Sequence, residues 1–181
     1  MDTQEVKIPH ERVAVLIGKS GEVKKRLEQK MKVKIDVDSE EGDVFISGED
    51  SLAVFEVVNV VKAVARGFNP EIAELLLNEE YNFDLINISD FSGRSKKTAM
   101  RLKGRVIGQE GKARKMIETM TNTSISVYGK TIGIIGRVED VSMSRQAVEM
   151  LLEGAPHGNV YKWLEDKRRE QLRREFEEKG I

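Results

Sequence analysis

The sequence of 181 residues contains no cysteine, and this absence limits the chemistry open to it. Without thiols the chain can form neither disulfide bonds nor a thiolate metal site. Only His10 and His157 could supply imidazole ligands, so we expect no metal and no cofactor. The sequence shows no nucleophile, general base and orienting residue at a spacing that indicates a catalytic site. We therefore expect a protein that is not an enzyme.

Long apolar runs are also missing. The longest lies around residues 57–61, is interrupted by Asn59, and is far shorter than the roughly 20 residues that cross a bilayer. Nothing at the N-terminus has the pattern of a signal peptide. We therefore expect a soluble, cytoplasmic protein that does not contact membranes.

The formal net charge is only -1, but the charges are segregated along the chain. Residues 19–34 carry seven Lys or Arg and two acids, and residues 101–115 carry six and one. Residues 36–50 contain seven acids and residues 71–90 contain six, with no base in either segment. Because the local field decides what a surface attracts, the two basic segments are candidate anion-binding surfaces.

The chain does contain an internal repeat. A Gly-x-x-Gly segment that begins at Gly18 recurs ninety residues later at Gly108, each time after an isoleucine and before a basic amphipathic stretch. The offset of ninety holds without a gap as far as Val37 and Val127, and it then falls by two or three residues. The repeat predicts two domains of about 65–70 residues.

Hydrophobic periodicity indicates the same order of elements in both halves: strand, helix, helix, strand, strand, helix. For the first half we predict strands at 5–9, 32–37 and 44–48 and helices at 10–17, 22–31 and 51–66. For the second half we predict strands near 84–88 and at 124–128 and 131–136, and helices before Gly108, at 112–120 and at about 140–153. A polar loop is predicted at 92–98, and a charged helix is predicted from Tyr161 onward.

These elements predict an α+β fold in four parts. The first domain is expected at 1–68, a connecting helix at 69–82, the second domain at 83–156, and a C-terminal helix at 157–181. Because each domain is small, we expect the two to pack together.

A Gly-x-x-Gly turn between two helices can bind phosphate groups. The missing side chains let a phosphodiester backbone approach, and the N–H groups and positive end of the following helix face it. Lys19 and Lys112 add positive charge. A P-loop would need glycine where Val13 stands, and a dinucleotide fingerprint would need it where Leu16 stands, so neither nucleotide motif is present.

With this loop in each copy of the repeated unit, both halves resemble K-homology (KH) domains of the type I topology. The GxxG loop of such domains clamps the backbone of about four single-stranded nucleotides. The resemblance implies two type I KH domains and single-stranded RNA as the partner. The RNA-binding residues that it implies are Ile17, Gly18, Lys19, Ser20, Gly21, Lys24 and Lys25 in the first half and Arg105, Ile107, Gly108, Gln109, Glu110, Gly111, Lys112, Arg114 and Lys115 in the second.

A closer resemblance concerns the second half. The segment 105–112 (RVIGQEGK), the pair Ile117 and Glu118, Gly136, and the GNVY segment at 158–161 are similar to the partner-of-Nob family of pre-ribosomal RNA processing factors. The short N-terminus suggests an archaeal member. The resemblance implies binding near the 3′ end of small-subunit ribosomal RNA and assistance to the pre-rRNA endonuclease or to other ribosome assembly or translation proteins.

Two features depart from the eukaryotic members of that family. Glu110 is acidic where they keep a basic residue or glycine, and the first loop here is an intact GKSG where theirs is degenerate, so which half binds RNA more tightly stays open. Two other functions also stay open: a protein-interaction scaffold, and an RNA-decay or translation cofactor. Finally, Glu28 and Glu118 are equivalent in the repeat, and we predict that they pair with nearby lysines.

Overall fold

The computed structural model describes residues 1–180, which divide into two compact units. The first runs from Met1 to Phe83, and the second takes in the rest of the chain from Asp84. Each unit contains one three-stranded sheet against which its helices pack. The predicted α+β class with two domains of the same order is therefore confirmed. The last residue of the predicted C-terminal helix, Ile181, lies outside the described residues.

The first unit follows the predicted order of elements. Its strands are β1 (Asp2–Lys7), β2 (Lys34–Val37) and β3 (Asp43–Gly48), and its helices are α1 (His10–Ile17), α2 (Glu22–Met31), α3 (Ser51–Ala65) and α4 (Pro70–Ala73), the last followed by a 3-10 turn at Glu74–Leu77. β3 lies between β1 and β2 and is antiparallel to both. β1 begins earlier than predicted because its pairing covers the whole of β3, from Asp2 opposite Gly48 to Lys7 opposite Asp43.

Helix α3 is the main apolar element of the first unit. The carboxylate of Asp50 accepts the backbone N–H of Leu52 at 3.0 Å and caps its first turn. Nine of its fifteen residues are buried. The helix ends where Gly67 adopts a φ of 98°, as the sequence predicted.

The second unit repeats the arrangement with additions. Its strands are β4 (Tyr81–Asn87), whose first three residues precede the boundary between the units, β5 (Ser124–Tyr128) and β6 (Thr131–Arg137). Its helices are α5 (Ser89–Ser92), α6 (Lys96–Ile107), α7 (Lys112–Thr121), α8 (Val138–Leu152) and α9 (His157–Glu178). β6 is the central strand, so the strand order matches that of the first unit.

Two sequence predictions about this unit were wrong in their boundaries. The segment 92–98 is not one loop, because α5 ends at Ser92 and α6 already begins at Lys96. The Ser95 hydroxyl caps α6 by accepting the N–H of Thr98 at 3.1 Å. Helix α9 begins directly after Pro156 at His157, where the C-terminal segment 157–181 was predicted to begin, and not at Tyr161, from which the charged helix was predicted. Its Val160 and Leu164 are fully buried in the core of the second unit, which explains why these turns are helical.

None of the helices within residues 1–180 is both long and apolar enough to span a membrane.

Candidate nucleic-acid interface

The two GxxG loops adopt the same backbone conformation. Gly18 has φ 76° and ψ 172°, and Gly108 has φ 72° and ψ 174°, a region that is essentially open only to glycine. The third residue of each loop, Ser20 or Glu110, is left-handed, with φ of 55° and 53°. The loops therefore share their geometry although their central residues differ.

The first glycine of each loop is also required by close packing. A Cβ atom on Gly18 would lie 2.5 Å from Cγ2 of Val23 and 2.8 Å from its backbone nitrogen. A Cβ atom on Gly108 would lie 2.6 Å from Cβ of Ala113 and 2.7 Å from its nitrogen. Each loop thus closes tightly on the first turn of the helix that follows it.

The second glycine leaves the start of the next helix open. Gly21 and Gly111 are left-handed N-cap residues of α2 and α7, with φ of 76° and 75°. Neither helix has a side-chain cap on its first-turn N–H groups among the described residues. A Cβ atom on Gly111 would meet nothing within 4 Å. The positively polarised helix ends are therefore accessible to an anion.

Several of the basic residues that were predicted to bind RNA are free to bind a ligand at these loops. Lys19, Lys112 and Lys115 are exposed, and their ammonium groups make no hydrogen bond or ion pair with any residue that the structure describes. Lys25 lies over the first loop, with its Nζ 3.4 Å from the carbonyl oxygen of Ser20. Positive charge therefore surrounds both loops.

The residues at the centre and start of the second loop complete its surface. Gln109 and Glu110 are exposed, so the loop presents one carboxylate to solvent. Ile107, the last residue of α6, is half-buried, as is Ile17 at the end of α1. Each loop is thus bordered by a partly accessible apolar side chain.

Two other basic residues that were predicted to bind RNA form ion pairs within the protein. Lys24 Nζ lies 3.1 Å from Oε1 of Glu28, and Arg114 Nη1 lies 3.8 Å from Oε1 of Glu118. The predicted pairing of the repeated glutamates with lysine is confirmed for Glu28, whereas the cation beside Glu118 is an arginine. These cations contribute less free charge to the surface than their number suggests.

The repeated glutamates have a second role that the sequence did not predict. Glu28 Oε1 accepts the backbone N–H of Ile35 at 2.8 Å, and Glu118 Oε1 accepts that of Ile125 at 2.8 Å. Both acceptors therefore bind edge strands, β2 and β5, whose N–H groups would otherwise lack a strand partner. The signal was available, since an identical glutamate stood seven residues before an isoleucine of the strand in both copies.

The Arg105 side chain is engaged in hydrogen bonds at the C-terminal end of α8 and is not free to bind a ligand at the loop. Its Nε donates to the carbonyl oxygen of Leu151 at 2.9 Å, and its Nη2 donates to that of Ala155. Its own carbonyl oxygen lies 2.8 Å from Nε2 of His157. The guanidinium thus satisfies carbonyl groups at the C-terminal end of α8.

No group of three or more His, Asp or Glu side chains within residues 1–180 is placed to hold a metal ion.

Comparison with known proteins identifies both units. Residues 82–169 match the family described as eukaryotic type KH-domain (KH-domain type I), and residues 3–63 match the KH domain family. A KH domain-containing protein of Methanocaldococcus jannaschii is 48% identical over 95% of this chain and 77% of its own length. The pre-rRNA-processing protein pno1 of Emericella nidulans is 29% identical over 89% of this chain and 65% of its own length.

A solved structure gives the same result. The crystal structure of the a/eIF2alpha-aDim2p-rRNA complex from Pyrococcus horikoshii OT3 contains a chain of which 95% aligns with 93% of this one. The identity is 43% and the TM-score is 0.85. With the repeated fold and loop geometry, these matches show that the chain belongs to the partner-of-Nob (PNO1/Dim2) family of tandem KH-domain proteins.

Proposed function

We propose that this protein binds single-stranded RNA during maturation of the small ribosomal subunit, near the 3′ end of its rRNA, and assists the cytoplasmic processing of that RNA. The observation that carries the proposal is the duplicated loop, in which a glycine-only backbone conformation opens a helix N-terminus to solvent at equivalent places in both units. The similarity to a pre-rRNA-processing protein and to the Dim2p chain of an rRNA complex supports the choice of RNA.

The backbone of each loop is proposed to bind phosphate groups. Gly18 and Gly21 in the first unit, and Gly108 and Gly111 in the second, let the phosphodiester approach the N–H groups of the next helix. Cations that form no ion pair then neutralise its charge. In the first unit these are Lys19 and Lys25, and in the second they are Lys112 and Lys115.

The remaining predicted residues are proposed to shape the surface on which the RNA lies. Ile17 and Ile107 offer apolar area to bases beside the loops, whereas Lys24 and Arg114 border the loops while they stay paired with glutamates. Arg105 contributes to this surface indirectly, because its guanidinium fixes α6 to the end of α8.

Single strands are the expected form of the RNA. KH domains clamp an extended backbone and read unpaired bases, which a duplex keeps stacked and paired inside its helix. The affinity should fall as the salt concentration rises. A plot of log affinity against log salt concentration should have a slope of about -0.7 per neutralised phosphate for single strands. Equal affinity for a duplex of the same sequence would contradict the proposal.

The experiment that tests the proposal changes the centres of the loops. Fluorescence anisotropy would measure binding of an oligonucleotide from the 3′ end of small-subunit rRNA to the parent, to the double variant Lys19→Asp with Ser20→Asp, and to Gln109→Asp with Glu110→Asp. The first variant should lose about tenfold or more in affinity, which corresponds to about 1.4 kcal/mol. The second variant adds only one negative charge, because Glu110→Asp conserves the charge, and it should lose about twofold. Lys62→Asp is a control for the first variant, since Lys62 is an exposed residue of α3.

The outcome is informative only for folded variants, so circular dichroism accompanies each titration. Folded double variants that bind RNA like the parent would show that the loops are not phosphate sites. The protein-scaffold function would then replace the proposal.

A translation-related function is the second candidate. It is favoured by one observation, the similarity to the Dim2p chain whose crystal structure also contains a/eIF2alpha. Binding of purified archaeal initiation factor to this protein, with and without RNA, would distinguish a translation partner from a factor that acts in processing alone.

A further inference from the structure

The second unit has a basic pocket away from its GxxG loop. The pocket lies at the N-terminal end of α6, has a volume of about 550 Å³, and is lined by residues of α5, α6 and the turn between β5 and β6. Four of the lining residues are cations: Arg94, Lys96, Lys103 and Lys130. Within the described part of the chain, no Asp or Glu lines it.

The pocket is built by a segment that the first unit does not have. The N–H of Ile8 donates to the carbonyl oxygen of Gly42 at 2.8 Å, and that of Ile88 donates to the carbonyl oxygen of Lys130 at 2.9 Å, so the two isoleucines occupy equivalent positions. In the first unit α1 begins two residues after this position, whereas in the second α6 begins eight residues after it. The added residues form α5 and one wall of the pocket.

The four cations of the pocket are unpaired. None of them makes a hydrogen bond through its side chain or an ion pair with a residue that the structure describes, although many other cations of the chain do. The corresponding hairpin of the first unit is acidic, with Asp38, Glu40 and Glu41 exposed. Four positive groups that face one cavity repel one another and create a local field that an anionic ligand would relieve.

The pocket also offers apolar contact. Ile88 and Ala99 contribute to its lining, and Met100 at its edge is 75% exposed. A long, polarisable methionine side chain adapts to flat apolar groups. Cations beside apolar area suit a nucleotide, which combines a charged phosphate with an apolar base face, better than they suit a simple inorganic anion.

One face of α6 connects the pocket to the GxxG loop. Lys96, Met100, Lys103 and Ile107 are spaced by four, three and four residues, which places them in one stripe along the helix. Ile107 directly precedes the loop. The stripe is about 16 Å long at 1.5 Å per residue, a distance that an extended RNA strand crosses in a few nucleotides.

We propose that this pocket is a second RNA subsite, which holds a nucleotide of the same strand beyond those clamped at the Gly108 loop. The phosphate lies among the lysines, and the base contacts Met100. This inference rests on the proposed function, but it predicts a dependence on RNA length that the loops alone do not produce.

The test compares short and long RNA. A tetranucleotide is long enough for one GxxG loop, whereas a dodecanucleotide also reaches the pocket. The variant replaces Lys96, Lys103 and Lys130 by alanine, and its charge-matched control replaces Lys162, Arg173 and Lys179, three exposed residues of the second unit. Anisotropy titrations would be run over a range of salt concentrations, with circular dichroism as the check on folding.

The pocket variant should bind the dodecanucleotide about tenfold or more weakly, and the slope of log affinity against log salt concentration should fall by about 0.7, the value for one neutralised phosphate. It should bind the tetranucleotide within twofold of the parent. Unchanged binding of the dodecanucleotide, or an equal loss for both RNAs, would overturn the proposal.

Two further outcomes separate this proposal from its alternatives. If the parent does not bind RNA at all, the proposed function itself fails, whatever the pocket variant does. If the pocket variant binds RNA like the parent but loses binding of a polyglutamate peptide, the occupant is an acidic protein segment and the RNA subsite is wrong.

Discussion

The acidic residue at the centre of the second loop provides a quantitative test of where phosphate lies. Glu110 is exposed and left-handed, with φ 53°. Replacing it by lysine reverses one charge without demanding a new backbone, because Lys32 already adopts φ 54° elsewhere in the chain. If phosphate approaches the loop, Glu110→Lys should raise the affinity for RNA.

The expected gain follows from Coulomb's law. One unit charge about 5 Å from a phosphate in water interacts with it by about 0.8 kcal/mol, so a reversal is worth about 1.7 kcal/mol before screening. With a Debye length of about 8 Å at physiological salt, about half of this remains, which corresponds to roughly a fivefold gain. At low salt the gain should be larger.

The assay isolates the second loop. Glu110→Lys is introduced into the variant that already carries Lys19→Asp and Ser20→Asp, and RNA binding is measured at low and physiological salt. Glu165→Lys, at an exposed position of α9, is the control for a general change in charge. An affinity that is unchanged or lower in a folded Glu110→Lys protein, or a gain matched by the control, would refute the placement of phosphate at this loop.

Three further predictions concern stability. Gly108→Ala should lower the free energy of unfolding in urea by about 2–4 kcal/mol, since its Cβ atom would clash with Ala113, whereas Gly111→Ala, which meets open space, should cost only about 1 kcal/mol. Lys32→Gly should raise the free energy of unfolding by about 0.5–1 kcal/mol, because glycine adopts the left-handed conformation at the end of α2 without the steric strain of a Cβ atom. Burial raises the pKa of Asp140 above its ordinary value. The stability that this carboxyl contributes when protonated is therefore lost as pH rises through its folded pKa. Asp140→Asn should raise the free energy of unfolding at pH 7. The difference between variant and parent should shrink when unfolding is measured towards pH 4 and below.

Most helices and strands could be predicted because their apolar residues follow a clear period. The central part of α2, with Val23 and Leu27 on one face, and the alternation of β2 around Ile35 are examples. The segment before α6 could not be predicted in the same way. Its helix start depends on the Ser95 cap, and α5 has only four residues, too few for a period to appear.

The backbone of the site could be predicted more fully than its side-chain partners. Two glycines three residues apart specify a turn locally, and both loops formed as expected. By contrast, whether a cation is free depends on groups that are distant in sequence. Arg105 binds a carbonyl oxygen 46 residues away, at Leu151, and no local pattern announces that contact.

The two units preserve contacts more strictly than they preserve residues. Arg12 donates to the carbonyl oxygens of Val64 and Phe68, both at 2.8 Å, at the C-terminal end of α3. Arg105 makes the corresponding contacts at the end of α8, yet it stands three residues before its GxxG loop, whereas Arg12 stands six before its own. Because three residues are close to one helical turn, both positions lie on the same face and reach the same target.

The same logic applies to the loops, where backbone geometry is shared and charge is not. The backbone conformation is the same with serine or glutamate as the third loop residue, so Ser20 and Glu110 change the charge of each loop without changing its shape. Under the proposed function, the loop with Lys19 binds RNA through charge, whereas the loop with Glu110 binds its phosphate less strongly. If our further inference is right, the basic pocket at the other end of α6 offsets this weaker loop by adding contacts between the second unit and RNA.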